Sequence, residues 1–320
     1  MISWIKSIFE PPEIININVE KSTTDGGRHH DVVELSPAEI IQKVKEAGVL
    51  GMGGGEFPAH RKLSPRRVID WVLINGCESE PMISCDDAVL KKYRHEVECG
   101  MKLIMRAVGA KNGKIVTRGN SYASGYEKIL VEEFAAIRIP NHHRPQDYGY
   151  LVFNVQTARA IHQAVCLGLA QRARVLSVHC GCTRGVRNVE VKIGTRAEAV
   201  FEALGCTCQM TRVLIKDGLM MGRQIEGSTE VRPGTIGLFS LHSESLARGP
   251  EQVCINCGYC GDDCPVGLAP KLVCWDQSGE AWEKCIECGY CDFICPSGIR
   301  LMERIRRTKS EAGHLGGEGH

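Results

Sequence analysis

Hydrophobic and polar positions along the chain alternate between short strand-like runs and one-sided helical faces, and together they outline an α/β protein. Ile14, Ile15, Ile17 and Val19 read as a short strand, followed by a polar loop at Asp25-Gly26-Gly27, so residues 13–35 are expected to be a lead-in. Ser36 then opens a well-marked helix. It is the N-cap, Pro37 takes the first helical position, Glu39 closes a capping box, Ile40, Ile41, Val44 and Ala47 make one apolar face, and Gly48 ends it. Residues 68–74 form a largely apolar strand that runs into Asn75-Gly76-Cys77-Glu78-Ser79-Glu80-Pro81. Helices over residues 96–108 and 125–135 flank a strand at Lys114 to Thr117 and carry the α/β unit to about residue 170. Near the far end, Ile299 to Arg307 reads as a basic helix, and Ala312 to His320 has too few apolar residues to fold.

No run reaches the ~20 apolar residues that a membrane-spanning helix needs. Met1 to Phe9 is apolar, but Glu10-Pro11-Pro12 cuts it before it could form a signal segment. Burial against its own domain is the simpler expectation for it, and docking on a partner or membrane surface is the alternative. The 320 residues suggest two or three domains. With 39 Lys and Arg against 38 Asp and Glu, no charge bias points to nucleic acid. The 17 cysteines would suggest disulfides in a small secreted chain, but in one this long they argue for a reducing, oxygen-poor compartment.

About half of those cysteines fall into one pattern used twice. Cys254, Cys257, Cys260 and Cys264 are spaced C-x2-C-x2-C-x3-C before Pro265, and Cys285, Cys288, Cys291 and Cys295 repeat the spacing before Pro296. Three thiolates on a tight turn cap three corners of an iron-sulfur cube, and the fourth, directed away by the proline, reaches the other cube. Two 4Fe-4S clusters are expected, one on Cys254, Cys257, Cys260 and Cys295, the other on Cys285, Cys288, Cys291 and Cys264. A zinc site is the alternative, but it would leave the third and fourth cysteines of each run without a role. Cys180, Cys182, Cys206 and Cys208 form two C-x-C pairs that are read as ordinary thiols, with a third metal centre as the alternative. The pairs His29-His30 and His142-His143 are assigned no metal.

Gly51-Met52-Gly53-Gly54-Gly55-Glu56-Phe57-Pro58 removes side chains that would keep a ligand from the backbone. It is neither a dinucleotide fingerprint, since Phe57-Pro58 falls where the helix should begin, nor a Walker A loop. Beside it, Glu78 and Glu80 with Asn75 would sit at the carboxyl end of a strand, the usual ligand position in an α/β fold; a solvated acidic turn is the plainer reading.

Gly51 to Leu63 and Asn75 to Pro81 resemble the flavin site of the NADH-binding flavoprotein subunit of respiratory complex I. They resemble more closely still the C subunit of Rnf-type electron transport complexes and the related corrin reductase of propanediol utilisation. The likeness continues in Ala123-Ser124-Gly125-Tyr126-Glu127-Lys128, in Asn154-Val155-Gln156-Thr157, and in Lys216 to Arg223. Val175 to Ala203 is similar to a small soluble-ligand-binding β-grasp domain. The implied architecture is a lead-in (1–35), a flavin-binding α/β domain (36–172), a β-grasp domain (173–245), a C-terminal ferredoxin-like domain with two 4Fe-4S clusters (246–308) and a tail (309–320).

The resemblance implies FMN contacts at Gly51, Gly53, Lys62, Asn75, Ser79, Asn154 and Thr157, and NAD(H) or NADP(H) over the flavin near Gly54, Gly55, Phe57 and Glu80. Glu78 and Glu80 would tune the local charge. It further implies electron exchange between a nicotinamide nucleotide, FMN and the clusters, within a hetero-oligomer whose partner is a flavoprotein, ferredoxin-like or corrinoid protein. Its expected place is the cytoplasm, free or at the inner membrane face. Departures are Glu56 where the family has a small residue, Ala59 for Thr, Cys77, and the lack of an N-terminal barrel counterpart in residues 1–35. A carboxylate at Glu56 would repel a nucleotide pyrophosphate or occupy its space, so an electron relay that no longer binds nucleotide is the second expectation, with a corrinoid reductase as the third.

Overall fold

A computed structural model describes residues 13–17, 35–119, 122–140, 143–181, 185–206, 212–242, 250–275 and 282–311. The expectations for Met1 to Phe9, Val19, the Asp25 loop, His29, His30, His142, Cys182, Cys208 and the tail from Ala312 lie outside the described residues.

After strand β1 (Ile14–Ile17) comes α1 (Pro37–Glu46), where the capping box is formed: the Ser36 hydroxyl accepts from the Glu39 N–H, and the Glu39 carboxylate accepts from the Ser36 N–H at 2.7 Å. Only Ile40 and Val44 of its apolar face are fully buried. A short α2 (Ala59–Lys62) follows the glycine loop. Strand β2 (Trp71–Asn75) starts later than expected, because Val68 is exposed. Next come α3 (Cys85–Val108), β3 (Asn112–Val116), α4 (Glu127–Ala135), β4 (Tyr150–Asn154) and α5 (Val155–Leu167). The strands form a parallel sheet in the order β3-β2-β4. Val72, Ile74, Leu103, Ile104, Leu151 and Ile161 are buried completely between this sheet and its helices. Each contributes roughly 1.5–3 kcal/mol by leaving water.

A second sheet is built from β5 (Ala173–Cys180), β6 (Val186–Lys192), β7 (Arg212–Lys216), β8 (Arg223–Ile225) and β9 (Gly237–His242), with α6 (Ala197–Ala203) packed against it. Its order is β1-β6-β5-β9-β7-β8, so β1 is an edge strand, paired parallel to β6. The strand expected as a lead-in is therefore part of a sheet whose other members lie well over a hundred residues away. Val175 of β5 and Phe239 of β9 share one apolar core with α1, α3 and α5, so α3 is covered on two sides.

The cysteine-rich region carries α7 (Tyr259–Asp262), α8 (Tyr290–Ile294) and α9 (Leu301–Glu311) around a small core of Leu268, Trp282, Ile299, Leu301 and Ile305. The internal repeat extends beyond the cysteines to Cys-Ile-x-Cys-Gly-Tyr-Cys, and its backbone repeats too. Asn256 and Glu287 both have φ of 55°. Non-glycine residues rarely adopt this left-handed conformation, and it recurs at the same position of each repeat. No described helix is long and apolar enough to cross a membrane.

Candidate functional site

The glycine loop lies at the carboxyl edge of the parallel sheet, and its neighbours hold it there. The Met52 N–H donates to Thr157 Oγ1 at 2.9 Å, and a Cβ on Gly53 would meet Asn154 Cβ at 3.3 Å. Gly53, Gly54 and Gly55 are exposed beside the ends of β2 and β4, leaving main chain open to a ligand. Much of the expected contact set is already engaged within the protein. Asn75 donates to the Gly125 carbonyl at 2.7 Å and accepts from the Cys77 N–H; Asn154 caps α5 through the Gln156 N–H and donates to Asp86. Ser79 packs against Gly125, where a Cβ would come within 2.4 Å of Ser79 Cβ. Thr157 is almost fully buried, so it supports the loop through Met52. Lys62 pairs with Glu127 at the start of α4, with its ammonium 5.3 Å from the Phe153 ring centroid. Phe57 is half exposed, with the Arg61 guanidinium 5.6 Å from its ring centroid.

Glu78 and Glu80 are adjacent in sequence pattern and diverge in space. Glu78 accepts from the N–H groups of Asp86 and Asp87 at the start of α3, and burial, together with those two carboxylates, holds it well above the usual carboxylate range. Glu80 accepts from the N–H groups of Met220 and Met221, both at 2.9 Å, and burial raises it to about 7 against the pull of those bonds. It thus ties the acidic segment to residues 217–222, and Met220 in turn abuts Gly289: a Cβ there would lie 2.7 Å from the Met220 carbonyl. Asp86, buried beside Glu78, is also raised by burial and receives hydrogen bonds from Gln156 and Asn154.

Glu56 departs from the expectation of a free repelling charge. Its carboxylate receives both forks of Arg232, at 2.7 and 3.1 Å, and the Gly234 N–H at 3.1 Å, and these partners hold it below the usual carboxylate range.

The eight cysteines of the two runs line two cavities. One cavity is lined by Cys254, Cys257, Cys260 and Cys295, and a second by Cys264, Cys285, Cys288 and Cys291, with Cys260 also reaching the second. Their walls are almost wholly apolar. Among the described residues no three His, Cys, Asp or Glu side chains are placed to ligate a single metal ion. The second cavity faces the glycine-loop domain: Tyr122 lies 3.0 Å from Cys288 Sγ and stacks on Tyr290 with centroids 5.0 Å apart. The first faces outward, with Cys257 exposed and Val253 and Ile255 exposed just before it in the chain. In the second sheet, Cys180 and Cys206 form a disulfide, so neither is the ordinary thiol the sequence suggested.

Arg232, Arg174, Tyr122 and Asp86 are the residues that sequence reasoning missed. Tyr122 adjoins the Ala123 to Lys128 motif, which is a usable signal; no local pattern marks Arg232.

The model of the Nuo51 FMN-binding domain matches residues 44–123, which span the glycine loop, β2 and the Asn75 segment. The chain is 30% identical over 284 residues to the C subunit of the Na+-translocating ferredoxin:NAD+ oxidoreductase complex of Acetobacterium woodii, covering 80% of this chain and 64% of that protein. The chain is a relative of the ion-translocating oxidoreductase C subunits. It is 31% identical over 264 residues to the C subunit of Rhodobacter capsulatus, covering 73% of this chain and 51% of that one. For the proton-translocating complex of Clostridium ljungdahlii the identity is 30% over 267 residues, covering 75% and 58%. The chain thus spans between about half and just under two thirds of these three relatives. A crystal structure of an NAD+-reducing NiFe-hydrogenase shares the fold at a TM-score of 0.56 and 17% identity, over 69% of this chain and 50% of that one. Residues 44–123 thus match an FMN-binding domain, and the chain is similar to the C subunits over part of their length.

Proposed function

We propose that the chain exchanges electrons between NADH or NADPH and a partner redox protein, through an FMN on the glycine-loop domain and two 4Fe-4S clusters in the cysteine-rich domain. The observation that carries this reading is the pair of four-cysteine cavities, one of them joined to the FMN-binding domain through Tyr122. Gly51, Gly53 and Lys62 would hold the FMN phosphate end, with Asn75, Ser79 and Asn154 around the ring. The nucleotide would lie along Gly54, Gly55 and Phe57. Bound there, a flavin accepts a hydride as an electron pair and releases electrons singly, in the units that iron-sulfur clusters carry.

The protein's own groups set position and charge. Glu80 braces residues 217–222 against the Gly289 loop, which keeps the inner cysteine quartet beside the FMN-binding domain. The outer quartet, with Cys257, Val253 and Ile255 all exposed, is where a partner would approach. The names of the relatives make ferredoxin the candidate partner, NAD+ the candidate nucleotide and an ion-translocating complex the candidate assembly. Such a protein would act in the cytoplasm or at the inner face of the membrane.

The test is anaerobic titration of the purified, iron- and FMN-loaded protein with NADH and NADPH, following flavin bleaching and loss of cluster absorbance. About eight irons per chain and rapid reduction by either nucleotide are expected. Reduction by dithionite alone would leave the second reading, a relay fed by another redox protein. The Glu56–Arg232 pair over the glycine loop, which would take up room a nucleotide phosphate needs, favours that alternative.

A further inference from the structure

Glu56 ends the glycine run with φ of 48°, a conformation that glycine accepts and a long side chain resists. What holds it there is a complete anion seat. The Arg232 guanidinium presents two N–H groups to the carboxylate, and the Gly234 main chain presents a third. A planar fork combined with a backbone N–H is the donor set that recognises phosphate oxygens as readily as a carboxylate. The seat is built into the loop: a Cβ on Gly234 would lie 2.8 Å from the Gly54 carbonyl and 2.9 Å from Glu56 Cγ, so residues 232–235 lie directly over residues 54–56. It is also reachable, since the Arg232 side chain is 64% exposed. The exposed ring of Phe57, the next residue, offers a flat face on the same loop.

We propose that Glu56 occupies the phosphate seat of the nucleotide cleft, so that a phosphate of the incoming dinucleotide and the Glu56 carboxylate compete for Arg232 and the Gly234 N–H. This inference rests on the nucleotide reading above and adds a residue that sets affinity. Glu56 neither excludes nucleotide by a free charge nor contacts it favourably. It is a built-in competitor whose displacement lowers the apparent affinity, and Arg232 is the group that nucleotide gains when Glu56 leaves.

The test is calorimetric binding of NADH, NADPH and ADP-ribose, the last being a pyrophosphate ligand without redox chemistry, to the full FMN-loaded chain and its variants. Glu56→Gly suits the left-handed backbone and keeps the loop foldable, and Glu56→Gln keeps the size while removing the charge; retention of FMN reports on integrity. Both variants are expected to tighten ADP-ribose and at least one nucleotide by ~10-fold or more, and adding Arg232→Gln to Glu56→Gly is expected to abolish that gain. If the wild type binds a nucleotide and the Glu56 variants bind it no better, the competition is refuted while the nucleotide reading stands. If no FMN-replete variant binds NADH, NADPH or ADP-ribose, the nucleotide reading itself fails and this inference with it.

Discussion

Glu80 shows how a single buried carboxylate links local chemistry to the arrangement of domains. Its oxygens accept two main-chain N–H bonds from Met220 and Met221, yet burial outweighs them and raises its pKa to about 7. Between its unfolded value, near 4.5, and 7 the native state holds a proton that the unfolded chain has released. By linkage this group therefore makes stability fall as pH rises across that window, by at most about 1.4 kcal/mol per unit. Glu80→Gln, which keeps an acceptor but cannot ionise, is expected to flatten the dependence. Urea unfolding at pH 5, 6 and 7.5 reads the effect, and parallel curves for the two proteins would assign the dependence elsewhere. Glu56 behaves in the opposite sense: Arg232 and Gly234 lower its pKa, so the stability it contributes is present above 4.5 and is lost as pH falls.

Among the elements, the crossing of α3 and α5 places the glycine loop. Gly100 permits it: a Cβ at that position would lie 2.0 Å from the Ala158 carbonyl. Gly100→Ala is expected to lower stability by roughly 1–3 kcal/mol, because overpacking against main chain outweighs the ~1 kcal/mol that alanine offers a helix. Since Thr157 of α5 holds Met52, the same variant is expected to lose FMN more readily, which gel filtration followed by flavin fluorescence would show. The sequence pattern found α3 only from residue 96, although it begins at Cys85 and bends at Tyr93. Its first turn carries Asp86 and Asp87, and the acidic side chains hide a buried start that Glu78, Asn154 and Gln156 sustain from elsewhere in the fold. α1 was fully legible because its capping box is local, within four residues.

At the scale of the whole molecule, a buried cation and a tyrosine connect the parts. Arg174, 1% exposed, donates to the carbonyls of Met52, Val175 and Pro233, joining the glycine loop to β5 and to the loop before β9, and its charge steadies Asp86. Arg174→Met would strand these carbonyls and the buried acid, and is expected to cost about 3–5 kcal/mol, read as a lower denaturant midpoint with unchanged slope. Tyr122 reaches Cys288 Sγ from the other domain. A hydrogen bond to a ligand sulfur raises a cluster's potential, so Tyr122→Phe is expected to lower the potential of one cluster and spare the other in an EPR-monitored redox titration. Equal shifts of both would contradict the placing of the Cys288 quartet against this tyrosine.

The sequence alone determined the groups whose chemistry is local. The two cysteine runs state their repeated spacing within about forty residues, the glycine run states an open main chain, and Ser36 with Glu39 states a helix start. Only the tertiary structure decided what those groups face. The Arg232 partner of Glu56 lies 176 residues away, Tyr122 and Cys288 are 166 apart, and Cys180 meets Cys206 across 26. No local period encodes such pairings, because each side chain would look equally at home on a solvated surface.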